Sequence, residues 1–523
     1  MARRGATVEA GENPRGFRGH GGARGAAPIL QTGFEMDPVV SNSRRFGWWI
    51  LVSALTLTVL EGAIRKWVIG SAFQLGSYVA YFSKDIVFAL LLLVPARRAS
   101  SAALEIFHRW LVPGCFLLVC GALSSMTREI DPEGAVLTLR AALFLPLVAF
   151  LAVSRLQGIS LRSVAWIIGL LTILNFPHGV LQNQLPPHHV LNRYATDTLD
   201  ITTTATGVRA TGTFSYITGM AIISVVGVWA GMVYMSLAQN VRQQIFGWAI
   251  LASGVGCGLA SVSRGPILIG AFVLLAWLLF SGEWACGKSR SVIAGTFFLG
   301  ILVLFEVTTT FFELGQGLLL RAEASKDTTE ERGLGQFEEA LVALDMAPLG
   351  NGLGTEQVGR YHYSQGEMAD TTFESQLGRL VLETGVFGLA GFLVICAGPV
   401  LALEVAKRHS ETGGEKAALL ATQLFLASMF AGNVVFNHTA SAFVWMIFAA
   451  AMGASLPAPR VAPPRFAPLY RRTRLGFILA RNTAGFRVVL CVRSHTSSLD
   501  WFLVRDALRL STPSLDKLRL HLM

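Results

Sequence analysis

Charge is scarce in this chain. Of its 523 residues only 15% are Asp, Glu, Lys or Arg, against 52% hydrophobic, and a mean hydropathy of +0.52 excludes a large soluble protein. Cysteine is scarce as well. The six, Cys115, Cys120, Cys257, Cys286, Cys396 and Cys491, lie mostly in or beside apolar stretches and form no CxxC pair, so they point to neither a disulfide framework nor a zinc site. His188, His189, His362 and His438 come without HExxH or a carboxylate cluster, and no D-x-D pair marks a site for a metal-bound nucleotide sugar. No metal and no cofactor are expected. Short alternating segments, the mark of a membrane β-barrel, are missing. So are internal repeats, the best pointer to an inverted-repeat transporter. No small-residue cleavage site follows the first apolar run, which leads instead into Glu61, Arg65 and Lys66 and reads as a signal anchor. The net charge of +10 is scattered through tails and short loops rather than gathered on one face, so nucleic acid is not an expected partner.

What the chain has is long apolar runs. About twelve windows reach the roughly 20 residues that a hydrocarbon core requires, near 46–63, 76–94, 110–126, 135–153, 163–181, 215–238, 245–262, 265–281, 291–311, 380–402, 417–434 and 439–456. The expected fold class is an all-α polytopic membrane protein of about twelve transmembrane helices, because only helices satisfy their own backbone groups in lipid. Residues 1–45, rich in Gly, Arg and Ala, read as a disordered cytoplasmic N-terminus; 46–312 carry helices 1–9, 313–378 a large periplasmic loop, 379–456 helices 10–12, and 457–523 a cytoplasmic tail. Orientation follows from Lys and Arg in short loops. With Arg44 and Arg45 inside, Arg97, Arg98, Arg109, Arg155, Arg162, Arg242, Lys288, Arg290, Lys407, Arg408 and Lys416 also fall inside, as does the Arg-rich tail. The loop 313–378 then lies outside and is acidic, with a helical pattern near 335–345 followed by the turn-forming "APLGNGLGTEQVG".

That topology leaves arginines where the rule disfavours them: Arg65, Arg193, Arg209, Arg264, Arg321, Arg332, Arg360 and Arg379. For Arg65, Arg321 and Arg332 the simplest reading is snorkelling to headgroups or pairing with the acidic loop. Arg209 and Arg264 stand at the mouths of apolar helices, where a partner anion is the usual compensation. Two formal motif matches carry nothing. "GEWACGKS" (282–289) fits a P-loop but joins two apolar spans through a Trp, and "GNGLG" (350–354) lacks the strand and helix of a dinucleotide site. In "DTTFESQLGRLVLETGVFGLAGF" (370–392) Arg379 and Glu383 share a helical face, and Glu374 near the amino end is either a cap or a base at the membrane surface.

Four segments carry a resemblance: "VRATGTFSYITGMA" (208–221), "SVSRGPIL" (261–268), "APLGNGLGT" (347–355) and "ESQLGRLVLETGVFG" (374–388). In their order around one long loop they resemble the R-x-x-G-T-F, S-R-G, P-x-x-G-x-G and E-x-G-x-x-G segments of the O-antigen ligase and polymerase superfamily of bacterial inner-membrane glycosyltransferases. "EGAIRKW" (61–67) and "LQNQLPPHHVLNRYA" (181–195) look like segments of polymerase-like members. Where the ligase branch carries an H-N pair, nine residues before the Glu of E-x-G, this chain has Glu374 and Ser375, which favours the polymerase branch.

The resemblance implies a GT-C-like membrane fold with its large periplasmic loop between helices 9 and 10, an undecaprenyl diphosphate-linked glycan as donor, a second glycan as acceptor, and a chain-length regulator as partner. It implies a metal-independent inverting transfer in which Arg264 and Arg209 bind the diphosphate and Glu374 accepts a proton from the attacking hydroxyl. Arg193, Arg360 and Arg379 would contact phosphate or glycan, and Tyr216, Tyr361 and Tyr363 would stack on sugar rings. An O-antigen ligase, a protein O-oligosaccharyltransferase and a lipid-linked glycan flippase are the alternatives. A flippase should place charged residues deep in several helices, whereas the sequence suggests that charge gathers at one membrane face.

Overall fold

The computed structural model describes residues 38–69, 74–93, 101–125, 132–156, 159–195, 203–204, 207–285, 326–354, 373, 375–432 and 437–455, together with the backbone of 475–482, 485–493 and 499–502. Along the chain the helices are α1 (Arg45–Ile69), α2 (Gln74–Leu93), α3 (Ala103–Ser125), α4 (Gly134–Ser154), α5 (Leu161–Gln184), α6 (Ile217–Ser236), α7 (Val241–Ala260), α8 (Arg264–Ala285), α9 (Lys326–Met346), α10 (Gln376–His409), α11 (Gly413–Ala431) and α12 (His438–Ser455). Among the described residues eight helices, α1 to α6, α8 and α10, are long and apolar enough to cross a membrane. Three further windows are helical as α7, α11 and α12, and the window 291–311 lies outside the described residues.

The bundle is apolar on both sides of its surface. Inside, α6 is the centre, with 89% of its best apolar window buried. It packs tightly on α7, because a Cβ at Gly254 would stand 2.7 Å from the Val228 nitrogen; such small-residue contacts are how helices associate where lipid offers no hydrophobic drive. Outside, Trp49, Phe116, Leu174, Phe272, Phe280 and Leu393 are exposed, as expected of helices that face hydrocarbon. Polar side chains mark the helix starts: Ser160, Asn240, Ser375 and Thr412 accept from backbone N–H groups at α5, α7, α10 and α11. Three stretches wind as π-helix, Ile64–Ile69 in α1, Phe107–Leu111 in α3 and Arg140–Ala149 in α4. Widened turns of this kind are frequent at functional positions.

Not everything is helical. A short hairpin pairs β1 (Thr203–Thr204) with β2 (Gly207–Val208) between α5 and α6. Residues 459–523 form a separate compact unit in which β3 (Leu475–Asn482), β4 (Gly485–Arg493) and β5 (Leu499–Phe502) make an antiparallel sheet in that order. The all-α expectation therefore holds for the apolar windows among the described residues, while the hairpin and the tail, whose structure the sequence left open, add strands; the tail's β-branched run "RVVLCV" suits one. The helix expected near 335–345 is longer, reaching Lys326–Met346.

The turn after α9 is keyed into α10. Gly385 has φ +64 and breaks the helix, and the turn supplies what the break removes: Val386 N–H donates to the Pro348 carbonyl at 2.9 Å and Asn351 N–H to that of Leu382 at 2.7 Å. Gly350, Gly352 and Gly354 also have positive φ, so the glycines of the 347–355 segment are required by the turn itself. A Cβ on Gly385 would run into the Pro348 carbonyl and stand 2.6 Å from the Gly350 nitrogen. Gly385→Ala is expected to cost about 1–3 kcal/mol, the usual range for forced backbone strain, and to lower the thermal unfolding midpoint of detergent-purified protein. An unchanged midpoint would mean that the break is not required.

Candidate functional site

Among the described residues, the buried charged side chains collect at one end of the bundle. The end of α5 builds the first part. Gln182 accepts from the backbone N–H of Thr211 (3.1 Å) and Gly212 (2.7 Å), Asn175 from that of Thr213 (3.0 Å), and the Asn183 amide donates to the Val208 carbonyl (2.8 Å). These three buried amides fix the 208–215 turn that opens α6. Within it Arg209 donates from Nε to the Ser261 carbonyl (3.2 Å) and from a terminal nitrogen to the Ser263 hydroxyl (2.9 Å). Ala210 N–H meets the Ala260 carbonyl at 3.1 Å. Between α7 and α8, Val262 adopts φ +48, a strained conformation for a β-branched residue. The R-x-x-G-T-F and S-R-G segments are thus one substructure, with Arg264 the first residue of α8, next to the serine that holds Arg209.

Tyr216, half-buried, sits edge-on to Tyr194 with ring centroids 5.2 Å apart. Burial and the neighbouring Tyr194 raise its phenol above the ordinary range, while Arg209 pulls the other way. Arg193 is exposed after the turn Val190–Asn192. Arg379 donates from Nε to the Phe373 carbonyl at 2.7 Å. Glu374, Arg360, Tyr361 and Tyr363 lie outside the described residues, as does Arg321.

The second part was not anticipated. Glu61, Arg65, Lys66, Lys84, Asp85 and Arg140, from α1, α2 and α4, are all at most 8% exposed. Glu61 pairs with Lys84 (2.6 Å) and with Arg65 (3.1 Å), and Arg140 grips Asp85 through Nε (2.5 Å) and a terminal nitrogen (3.2 Å). Tyr81 stands among them, with Arg65, Lys84 and Arg140 respectively 5.3, 4.9 and 4.5 Å from its ring centroid. Lys66 donates to the Thr211 hydroxyl and the Gly212 carbonyl, each at 2.8 Å. Arg65 is buried and therefore does not snorkel; among the described residues its hydrogen-bond partners are Glu61 within its own helix and the hydroxyls of Ser77 and Ser215. Nor does charge gather only at a surface face, since six charged groups are buried in three helices. The sequence did carry a signal, because each lies in or beside an apolar window, where an ionisable residue is a functional candidate by default.

These contacts connect the two halves of the site. Starting at Ser263 they run through Arg209 to the 208–215 turn and across Thr211 to Lys66; its chain neighbour Arg65 leads through Glu61 to Lys84, whose chain neighbour Asp85 holds Arg140, and two residues before Arg140 in α4 Thr138 donates its hydroxyl to the Glu383 carboxylate of α10 at 3.0 Å. Glu383 is 1% exposed, just before the Gly385 break. Chemically this end of the bundle is a cation-rich rim backed by a buried ionic layer, suited to an anionic head group at a membrane surface.

The apolar helices define the class: a multi-pass helical membrane protein. No model of a known protein family matches the chain, and no curated protein matches it either.

The ion pairs should be mutually dependent. Asp85→Asn leaves Arg140 buried beside a neutral amide, an expected loss of about 3–5 kcal/mol, whereas Asp85→Asn combined with Arg140→Gln removes both charges and should recover much of it. Thermal unfolding of the three variants in detergent measures the coupling. Additive losses would show that the pair is not formed.

Proposed function

We propose that this protein polymerises undecaprenyl diphosphate-linked oligosaccharide repeat units into O-antigen or exopolysaccharide at the periplasmic face of the bacterial inner membrane, with both termini cytoplasmic. The observation that carries the reading is the convergence of the four family-like segments, widely separated in sequence, at one end of the bundle. Two of them share Arg209 and its serine partners, two are interlocked at Gly385, and the buried ionic layer joins the pairs.

In this reading Arg209 and Arg264 hold the diphosphate of the donor in the headgroup layer, where guanidinium forks match phosphate oxygens. A sugar hydroxyl of the acceptor attacks the anomeric carbon as the bond from that carbon to the diphosphate oxygen breaks. The electron pair leaves with the diphosphate, whose growing charge the two arginines stabilise. The hydroxyl proton passes to Glu374, and direct displacement inverts the anomeric centre. Arg193, Arg360 and Arg379 are the further phosphate or glycan contacts, Tyr216, Tyr361 and Tyr363 the stacking surfaces, and a chain-length regulator the expected partner. No metal or cofactor is called for. The ligase reading is weakened by Glu374 and Ser375 standing where an H-N pair would be. A lipid-linked glycan flippase is the second reading, and the buried charges of α1, α2 and α4 favour it, because a carrier of lipid diphosphates also needs cations within several helices.

The test is a deletion strain complemented with Arg209→Ala, Arg264→Ala or Glu374→Gln, with surface polysaccharide resolved on a gel at matched protein levels. Removing one transition-state donor typically costs about 10²–10³ in rate, so each arginine variant should yield chains of single repeat units. Full-length lipid-linked polymer that never reaches its acceptor would instead identify a ligase. Repeat units trapped at the cytoplasmic face would identify a flippase. Normal polymer from all three variants would remove the mechanism.

A further inference from the structure

The helix α9 buries one side and leaves an apolar surface uncovered. Ala340 and Ala343, with Ala347 just beyond the helix, are at most 3% exposed, and the helix packs along α10. By contrast Phe337, Leu341, Val342 and Met346, with Leu349 in the following turn, are between 47% and 63% exposed. At 100° per residue Phe337 and Leu341 form one flank and Val342 and Met346 another, with the exposed acidic residues Glu338 and Asp345 on the ridge between them, opposite the packed alanines.

Where the second half of this helix lies is fixed by two contacts. At its midpoint Gln336 donates to the carbonyl of Ala431, the last residue of α11. Just past its end the Leu349 carbonyl accepts from Ser124, at the end of α3. Both α3 and α11 terminate there, on the same side of the bundle, so the fourteen residues from Gln336 to Leu349 run across the ends of the helices instead of along them. The apolar surface also continues an existing one. Val386, whose N–H is bonded to Pro348, and Phe387 begin an exposed apolar stripe on α10 that carries on through Leu393, Leu401 and Val405.

We propose that α9 is an interfacial helix: its apolar flanks lie in the lipid headgroup and upper acyl region of the leaflet at this end of the bundle, while the Glu338 and Asp345 ridge points to water. A helix in the interface plane with apolar residues beside a charged face is the form that membrane-surface anchors take. Here it sets the depth of the turn that is keyed into Gly385, and hence the height of the site above the hydrocarbon. The inference stands independently of the reaction assigned to the site.

Site-directed spin labels test it in full-length protein reconstituted, one copy per disc, in nanodiscs of phosphatidylethanolamine and phosphatidylglycerol. Cys120, Cys286 and Cys491 are replaced by Ser, the buried Cys115, Cys257 and Cys396 being left in place, and labels are introduced singly at Leu341→Cys, Met346→Cys and Glu338→Cys. These positions are exposed, so the substitutions leave the packed face intact, and thermal unfolding of each labelled protein checks that it is folded. Oxygen should relax the labels at 341 and 346 several-fold more than a water-soluble nickel chelate does, with the order reversed at 338. A nickel preference at all three positions would place the helix in water and overturn the proposal. Exclusion of both relaxants at 341 and 346 would show that protein covers these flanks, and would overturn it too.

Discussion

A carboxylate and an ammonium 2.6 Å apart inside a helix bundle hold because each makes the other tolerable, and the geometry of this protein's polar end is built around that constraint. Glu61 is shared between Lys84 and Arg65, while Asp85 takes both Arg140 contacts. Each ion is costly to bury alone, so α1, α2 and α4 can approach only in the register that brings all five together. The register sets the position of Lys66, and through its two bonds that of the 211–212 turn that leads into the central helix α6. The arginine at the rim is located by this chain of dependence as much as by its immediate hydrogen bonds.

The helical architecture was legible because hydrocarbon thickness imposes a length that needs no tertiary information. Every expected span that falls among the described residues is helical, with edges displaced by a few residues. The helix α6 starts at Ile217 because the chain before it, Thr211 to Ser215, is held as a turn by Gln182 and Asn175, two α5 side chains whose distant partners no local pattern reveals. The tail was not legible, since its short apolar groups match neither a membrane pattern nor a single clear alternation.

The site was legible in pieces. Arg209 and Arg264 stood out because topology placed them where cations are disfavoured, and they prove to be neighbours through Ser261 and Ser263. The glycines of 350–354 and Gly385 could be read as a turn and a helix glycine, but their interlock depends on a backbone contact across more than thirty residues, which no local pattern encodes. Lys84, Asp85 and Arg140 were visible as charges within apolar windows and still were not assembled, because pairing among helices is settled by packing rather than by spacing along one of them.

The keyed turn has a last consequence, for how such a protein can diversify. On the far side of the turn the Gly354 carbonyl abuts Gly134 of α4, and α10 opens at the Ser375 cap. The turn and the cap are each anchored by contacts of their own, so neither position depends on the number of residues between them. Closing a flexible loop between two fixed points becomes only about 0.6 kcal/mol harder when its length doubles. Arg360, Tyr361 and Tyr363 stand between the two points in sequence. Insertions or exchanges between the two points therefore leave the turn and the cap in place.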